Sequence, residues 1–225
     1  MSGIAIFGAG GRAGRAITAE ARARGHRVTA AVRNPPAADD LAAAGVSVVQ
    51  ADVTDPHSTF TISRDHDAVI SAVSPASGPA ALAALGRLDE QFFVKAVDAL
   101  LTGMTRAGVR RLVVVGLFAN LRNEDGQLIL DDPAAFPEQL RPFALAHTAG
   151  LDRLRGAETT VDWLMLTPPA NLDATAPRLG RYRIGGDTVP RSGLVGLSYA
   201  DLAVAVVDEI EHPRHHRTRV SVSGE

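Results

Sequence analysis

The residues best suited by type and spacing to do chemistry lie near the start of the chain. Gly8-Ala9-Gly10-Gly11-Arg12-Ala13-Gly14 follows a short apolar run and leads directly into a helical pattern. Glycines at such a point permit a tight turn and let the backbone approach a pyrophosphate. The free N–H groups and dipole of the following helix then hold the anion. Two spacings are satisfied together. Gly8, Gly10 and Ala13 fit G-x-G-x-x-G/A, while Gly8, Gly11 and Gly14 fit G-x-x-G-x-x-G. The same string without a ligand would be an ordinary glycine turn, but its place between a strand and a helix favours the phosphate reading.

A dinucleotide anchored there would meet the end of the second apolar run, 28–32. The next residue is Arg33. An acidic side chain at this place accepts from a ribose 2′-hydroxyl, whereas a guanidinium pairs with a 2′-phosphate. Arg12 is a second candidate for that phosphate. The pattern therefore predicts NADP (NADPH) as cofactor ahead of NAD. Asp52, after the third run, either accepts from the adenine amino group or caps a turn.

These groups need a scaffold. Apolar runs at 4–7, 28–32, 46–50, 68–72, 112–115, 161–167 and 218–223 read as strands. Helical patterns at 15–24, 37–44, 89–107, 137–155 and 199–212 separate them, with Gly25 and Gly108 as stops. This alternation predicts an α/β fold with a doubly wound parallel sheet, of the Rossmann type. Residues 168–196 are rich in Pro and Gly and break the rhythm. They read as a small substrate-side excursion from what is otherwise one domain over 1–225. Trp163 sits in a strand pattern and reads as core.

Composition narrows the functional classes. Twenty-three Lys and Arg face 25 Asp and Glu, for a formal net charge of −2. That argues for a small-molecule substrate and against a nucleic-acid partner, which calls for clustered basic residues. The absence of cysteine removes disulfides, thiolate catalysis and cysteine-based zinc sites. The opening segment lacks the features of a signal peptide, and no apolar run reaches membrane-spanning length, so a cytoplasmic protein is expected. His212-Pro213-Arg214-His215-His216 gathers three histidines at the end of a helix, where cationic groups are favourable anyway. It has no regularly spaced carboxylate and is not read as a metal site.

The stretch from Ile4 to Gly14 resembles the opening of atypical short-chain dehydrogenases/reductases with an NAD(P)H-binding, NmrA-like domain. The likeness continues through Gly25-His26-Arg27-Val28 to Arg33, Ala51-Asp52-Val53-Thr54-Asp55 and Asp67-Ala68-Val69-Ile70-Ser71-Ala72. It returns at Val161-Asp162-Trp163, Thr167-Pro168-Pro169, Gly180-Arg181-Tyr182-Arg183, Asp201-Leu202-Ala203 and Asp208 to Pro213. It is similar to the subgroup containing flavin/biliverdin reductase B. Two departures stand out. Gly10 replaces the usual Thr, and Gly116-Leu117-Phe118-Ala119 follows the fifth strand where relatives often carry small or hydroxyl residues.

Standard short-chain dehydrogenases use a Tyr-x-x-x-Lys pair as general acid/base. Here the tyrosines are Tyr182 and Tyr199 and the lysine is Lys95, with no Tyr four residues before it. His147, on the helix before the sixth strand, is the replacement that the resemblance implies, because flavin reductase relatives carry a histidine at the matching place. Histidine can donate a proton near neutral pH; the plainer reading is a packing or surface histidine. Ser71 and Ser74 follow the fourth strand, at the sheet edge where ligands gather. Ser71 is a candidate for both catalysis and cofactor binding. Pro168 is expected to run along the nicotinamide, with Asn171 and Tyr182 toward the substrate; turn and packing roles are the alternatives. The function implied is an NADPH-dependent oxidoreductase passing hydride to a planar acceptor such as a flavin or quinone. The alternative is a non-catalytic NADP(H)-binding redox sensor acting through a protein partner. An epimerase or dehydratase would need Tyr-x-x-x-Lys and a larger sugar-binding lobe.

Overall fold

Strand β1 (Gly3–Phe7) is buried along its whole length. Its side chains alternate between two hydrophobic layers, Ile4 and Ile6 in one and Ala5 and Phe7 in the other. This period-two alternation, in a strand covered on both faces, shapes the rest of the molecule. The structure is a computed structural model, described for residues 1–75, 88–190 and 192–225.

The strands that follow are β2 (Arg27–Val32), β3 (Ser47–Gln50), β4 (Ala68–Ser71), β5 (Arg111–Val115), β6 (Asp162–Thr167), β7 (Leu172–Asp173), β8 (Arg183–Gly185), β9 (Leu197–Ser198) and β10 (Thr218–Ser223). The main sheet runs β3-β2-β1-β4-β5-β6-β10-β8. All its pairings are parallel except β8 with β10. Order reverses at β1, whose neighbours are β2 on one side and β4 on the other. A crevice opens at the carboxyl ends of such a pair.

Helices α1 (Arg12–Ala23), α2 (Asp39–Ala43) and α6 (Tyr199–Glu211) supply Ile17, Leu41, Leu202 and Val206 to one layer. Helices α3 (Pro56–Ser63), α4 (Phe92–Ala107) and α5 (Arg141–Arg155) supply Ile62, Leu100, Met104, Leu151 and Leu154 to the other. Trp163 lies in this second layer, 3% exposed, as its strand pattern predicts. No described helix is long and apolar enough to cross a membrane.

The structure departs from the sequence reading in three places. Helix α3 was not anticipated, because its polar residues give no amphipathic stripe. Its start is nevertheless well marked: Asp55 accepts from the N–H groups of His57 (3.0 Å) and Ser58 (3.2 Å), and Pro56 stands at the first helical position. Second, the sheet is not wholly parallel, since β8 joins the edge in antiparallel register. Third, the excursion carries two short strands that the sequence pattern does not mark, β7, paired in parallel with β9 just beyond it, and β8.

Candidate active site

A cavity of about 690 Å³ occupies the crevice. One end is built from backbone. Gly8 has φ +80°, a left-handed conformation, and an added Cβ would come within 2.5 Å of the Ala72 carbonyl oxygen on the neighbouring strand's extension. Gly14 faces back on the turn, where an added Cβ would meet the Gly8 carbonyl oxygen at 2.2 Å. Gly14 therefore does not line the cavity; it lets α1 begin against the loop. Gly8, Gly10, Gly11, Arg12 and Ala13 do line it. Helix α1 has no side-chain N-cap and no acidic residue in its first turn. Its first amides and dipole are thus available to an anion. This cradle fits a pyrophosphate.

Arg33 and Asp52 line the same end. Arg12 and Arg33 take part in no ion pair among the described residues, and the Arg12 guanidinium lies 5.9 Å from the Tyr199 ring centroid. Asp52 performs the turn role: its Oδ1 accepts from the Thr54 N–H (2.8 Å) and hydroxyl (2.7 Å). Arg15 braces this end. It donates to the Gly10 carbonyl (2.9 Å) and the Ala37 carbonyl (3.1 Å) and pairs with Asp40. It thereby ties the glycine loop to the segment after Arg33.

The other end is built from side chains. Phe92, Phe118, Phe143, Leu117 and His147 form its wall, with Pro168, Pro169 and Ala170 after β6. Asn120 holds the connection after β5 against α5, donating to the Ala144 carbonyl (3.0 Å) and to the Thr148 hydroxyl. His147 is 6% exposed and its ring centroid lies 4.2 Å from that of Phe93. Burial pushes its pKa down to about 4, with the Arg219 charge adding to the effect. The imidazole is therefore neutral at physiological pH and offers one N–H and one lone pair. Near neutral pH such a group offers hydrogen bonds and carries no stored proton.

Of the other residues singled out from the sequence, Ser74 and Pro168 line the cavity. Ser71 does not; it is 3% exposed and lies behind His147. Asn171 and Tyr182 lie apart from it as well. Asn171 borders a different groove with Gly196 and Asp173. The Tyr182 hydroxyl donates to Asp208 (2.6 Å), and the ring packs against the first core layer. The excursion therefore docks on α6 at Tyr182, which holds the side chain away from the cavity. The histidines after α6 are engaged by carboxylates, His215 with Glu209 (2.6 Å) and His216 with Asp162 (2.8 Å), beside a buried Arg111–Glu209 pair (2.9 Å). Sequence reasoning missed Arg15, Phe92, Phe118, Phe143 and Tyr199. No motif flags these residues, because they are brought together only by the fold.

Sheet order, glycine cradle and cavity together define a dinucleotide-binding Rossmann protein. The family signature described as NAD(P)H-binding matches residues 8–213, and the chain belongs to that family. It is 35% identical to the uncharacterized protein YwnB of Bacillus subtilis, over 99% of this chain and 98% of that one. A Bacteroides thetaiotaomicron structure assigned as a candidate epimerase is 31% identical, with a TM-score of 0.82 over 99% of this chain and 96% of that one. A Streptococcus pneumoniae structure assigned as a candidate NADH-flavin reductase is 30% identical, with a TM-score of 0.79 over the whole of both chains.

Proposed function

We propose that this protein is an NADPH-dependent reductase that passes hydride to a planar, ring-containing acceptor such as a flavin or quinone. The observation that carries the reading is the aromatic wall of Phe92, Phe118 and Phe143 around a neutral His147, at the far end of a cavity that begins in a phosphate cradle. Flat rings are bound well by such faces and edges. Of the two candidate assignments among the relatives, flavin reductase suits this wall; no Lys lines the cavity, and Lys95 is held by Asp89 at 2.7 Å.

The bound nicotinamide supplies the hydride. The amides at the start of α1 hold the pyrophosphate, and Arg33 with Arg12 supplies the positive charge that selects a 2′-phosphate. Pro168 and the segment after it shape the nicotinamide wall. His147, being neutral, donates a hydrogen bond to the acceptor atom that gains electron density, and the proton completing the reduction comes from solvent. The aromatic side chains exclude water from the hydride path. The cytoplasm, where NADPH is maintained, is the compartment that suits this activity.

Steady-state oxidation of NADPH and NADH with a panel of flavins and quinones tests the proposal. Turnover with NADPH preferred and at least one planar acceptor used is the expected result. Tight NADPH binding with no turnover on any acceptor would overturn it and favour a dinucleotide sensor that works through a protein partner.

A further inference from the structure

Arg219, on β10, is buried. Its Nε donates to the Asp187 carboxylate, in the excursion just beyond β8, and a terminal nitrogen donates to the backbone carbonyl of Asn120. Asn120 closes the short turn Phe118–Asn120 after β5, two strands away from β10 in the sheet. It is buried as well, and its side-chain amide donates to the Ala144 carbonyl (3.0 Å) and the Thr148 hydroxyl of α5. Ala144 follows Phe143, and Thr148 follows His147. A chain of hydrogen bonds thus runs from β10, through the turn that carries Phe118, to the helix that carries Phe143 and His147. Those three side chains line the acceptor end of the cavity. The Arg219 charge also reaches the His147 ring, where it opposes protonation. Stability alone is a weak reason for such a chain. Apolar side chains often replace a buried ion pair without loss, and Asn120 Oδ1 is left buried without a partner. What a guanidinium adds is a rigid fork that holds two segments at a fixed separation.

We propose that Arg219 is a positioning residue of the acceptor end: by holding the Asn120 carbonyl it seats the turn of Phe118 at a fixed place relative to Phe143 and His147 on α5. Arg219 does not line the cavity, so it acts through Asn120 and touches neither cofactor nor acceptor. The phosphate end is built from other segments and does not depend on this chain of contacts. The proposal deepens the reductase reading and rests on it only for the acceptor, since the seating exists without any ligand.

The test is amide hydrogen exchange of the native protein and Arg219→Met, followed by NMR, together with acceptor kinetics. The Leu121 N–H closes the turn on the Phe118 carbonyl (2.9 Å) and reports its seating, while the amides of β1 report the fold as a whole. Arg219→Met should speed exchange at Leu121 about tenfold more than in β1, the size of one hydrogen bond lost. It should also lower kcat/KM for the acceptor about tenfold or more, as misplaced site walls do, with the NADPH Kd unchanged. Equal acceleration at Leu121 and β1 would show a residue that serves stability only and would overturn the proposal. So would an unaltered acceptor kcat/KM, or a raised NADPH Kd. If Arg219→Met does not fold, Arg219→Lys decides by the same ratio, because it keeps the charge but lacks the fork. Should no acceptor oxidise NADPH even in the native protein, the reductase reading falls, and the exchange ratio alone upholds or overturns the seating.

Discussion

One end of the cavity is built from backbone, and the other end from side chains. The phosphate end depends on seven consecutive residues whose glycines allow the turn at Gly8 and the close start of α1 at Gly14. The acceptor end assembles Phe92, Phe118, Phe143 and His147 from α4, the connection after β5, and α5. The first construction tolerates no added atom at Gly8 or Gly14, where the nearest neighbours are backbone atoms that cannot move away. The second can be altered one side chain at a time. The two ends should therefore respond to mutation in different ways.

The largest effect is expected at Gly14. Gly14→Ala places a methyl group against the Gly8 carbonyl and the Ala9 backbone. It should cost about 1–3 kcal/mol of stability by overpacking and abolish NADPH binding. Thermal melts with a fluorescence titration would check this; normal binding would show that the loop has another way to open.

Next comes the pH dependence of stability at the acceptor end. Burial lowers the folded-state pKa of His147 from 6.5 to about 4. Its stabilising effect is complete above pH 6.5 and is lost as pH falls toward 4, because the unfolded chain binds the proton first. The difference is on the order of 3 kcal/mol. Denaturant titrations of the native protein against His147→Phe across pH 4–7 should show this extra acid sensitivity in the native protein; parallel curves would contradict it.

His147→Ala should lower turnover by about 10²-fold while NADPH affinity is unchanged. A matching loss of affinity would instead place the ring at the cofactor. Arg33→Asp should weaken NADPH by about tenfold or more without weakening NADH, the size expected for a charged hydrogen bond. Equal losses for both would remove Arg33 from 2′-phosphate recognition. The smallest effect belongs to Arg15→Met, which cuts an exposed brace. It should weaken NADPH by less than about fivefold, as exposed ion pairs contribute little. A larger loss would make Arg15 part of the binding surface itself.

The same contrast explains what can be read from the sequence. The apolar run of β1 and the glycine spacing are local signals, and the structure forms a strand and a loop from them, with Arg33 lining the same cavity. Helix α3 escapes because its length is short and its polar residues hide the period, although Asp55-Pro56 marks its start. Tyr182 packs on α6, one of the two roles left open for it, through a long-range contact the sequence does not display, with Asp208 lying 26 residues away. The aromatic wall escapes for the same reason. Nothing near Phe92, Phe118 or Phe143 in the chain reveals that all three line one cavity. Burial also changes what His147 can do, and the Phe93 ring packed against it is part of the environment that keeps it neutral.

Hydride transfer from NADPH within this cavity would be visible in single-turnover oxidation. Protein saturated with NADPH, or with NADPH deuterated at the transferred position, would be mixed with a flavin or quinone while the nicotinamide absorbance is followed. One turnover per site is expected, slowed by the deuterium and slowed further in His147→Ala. Tight binding of NADPH with no loss of its absorbance under any acceptor would contradict it.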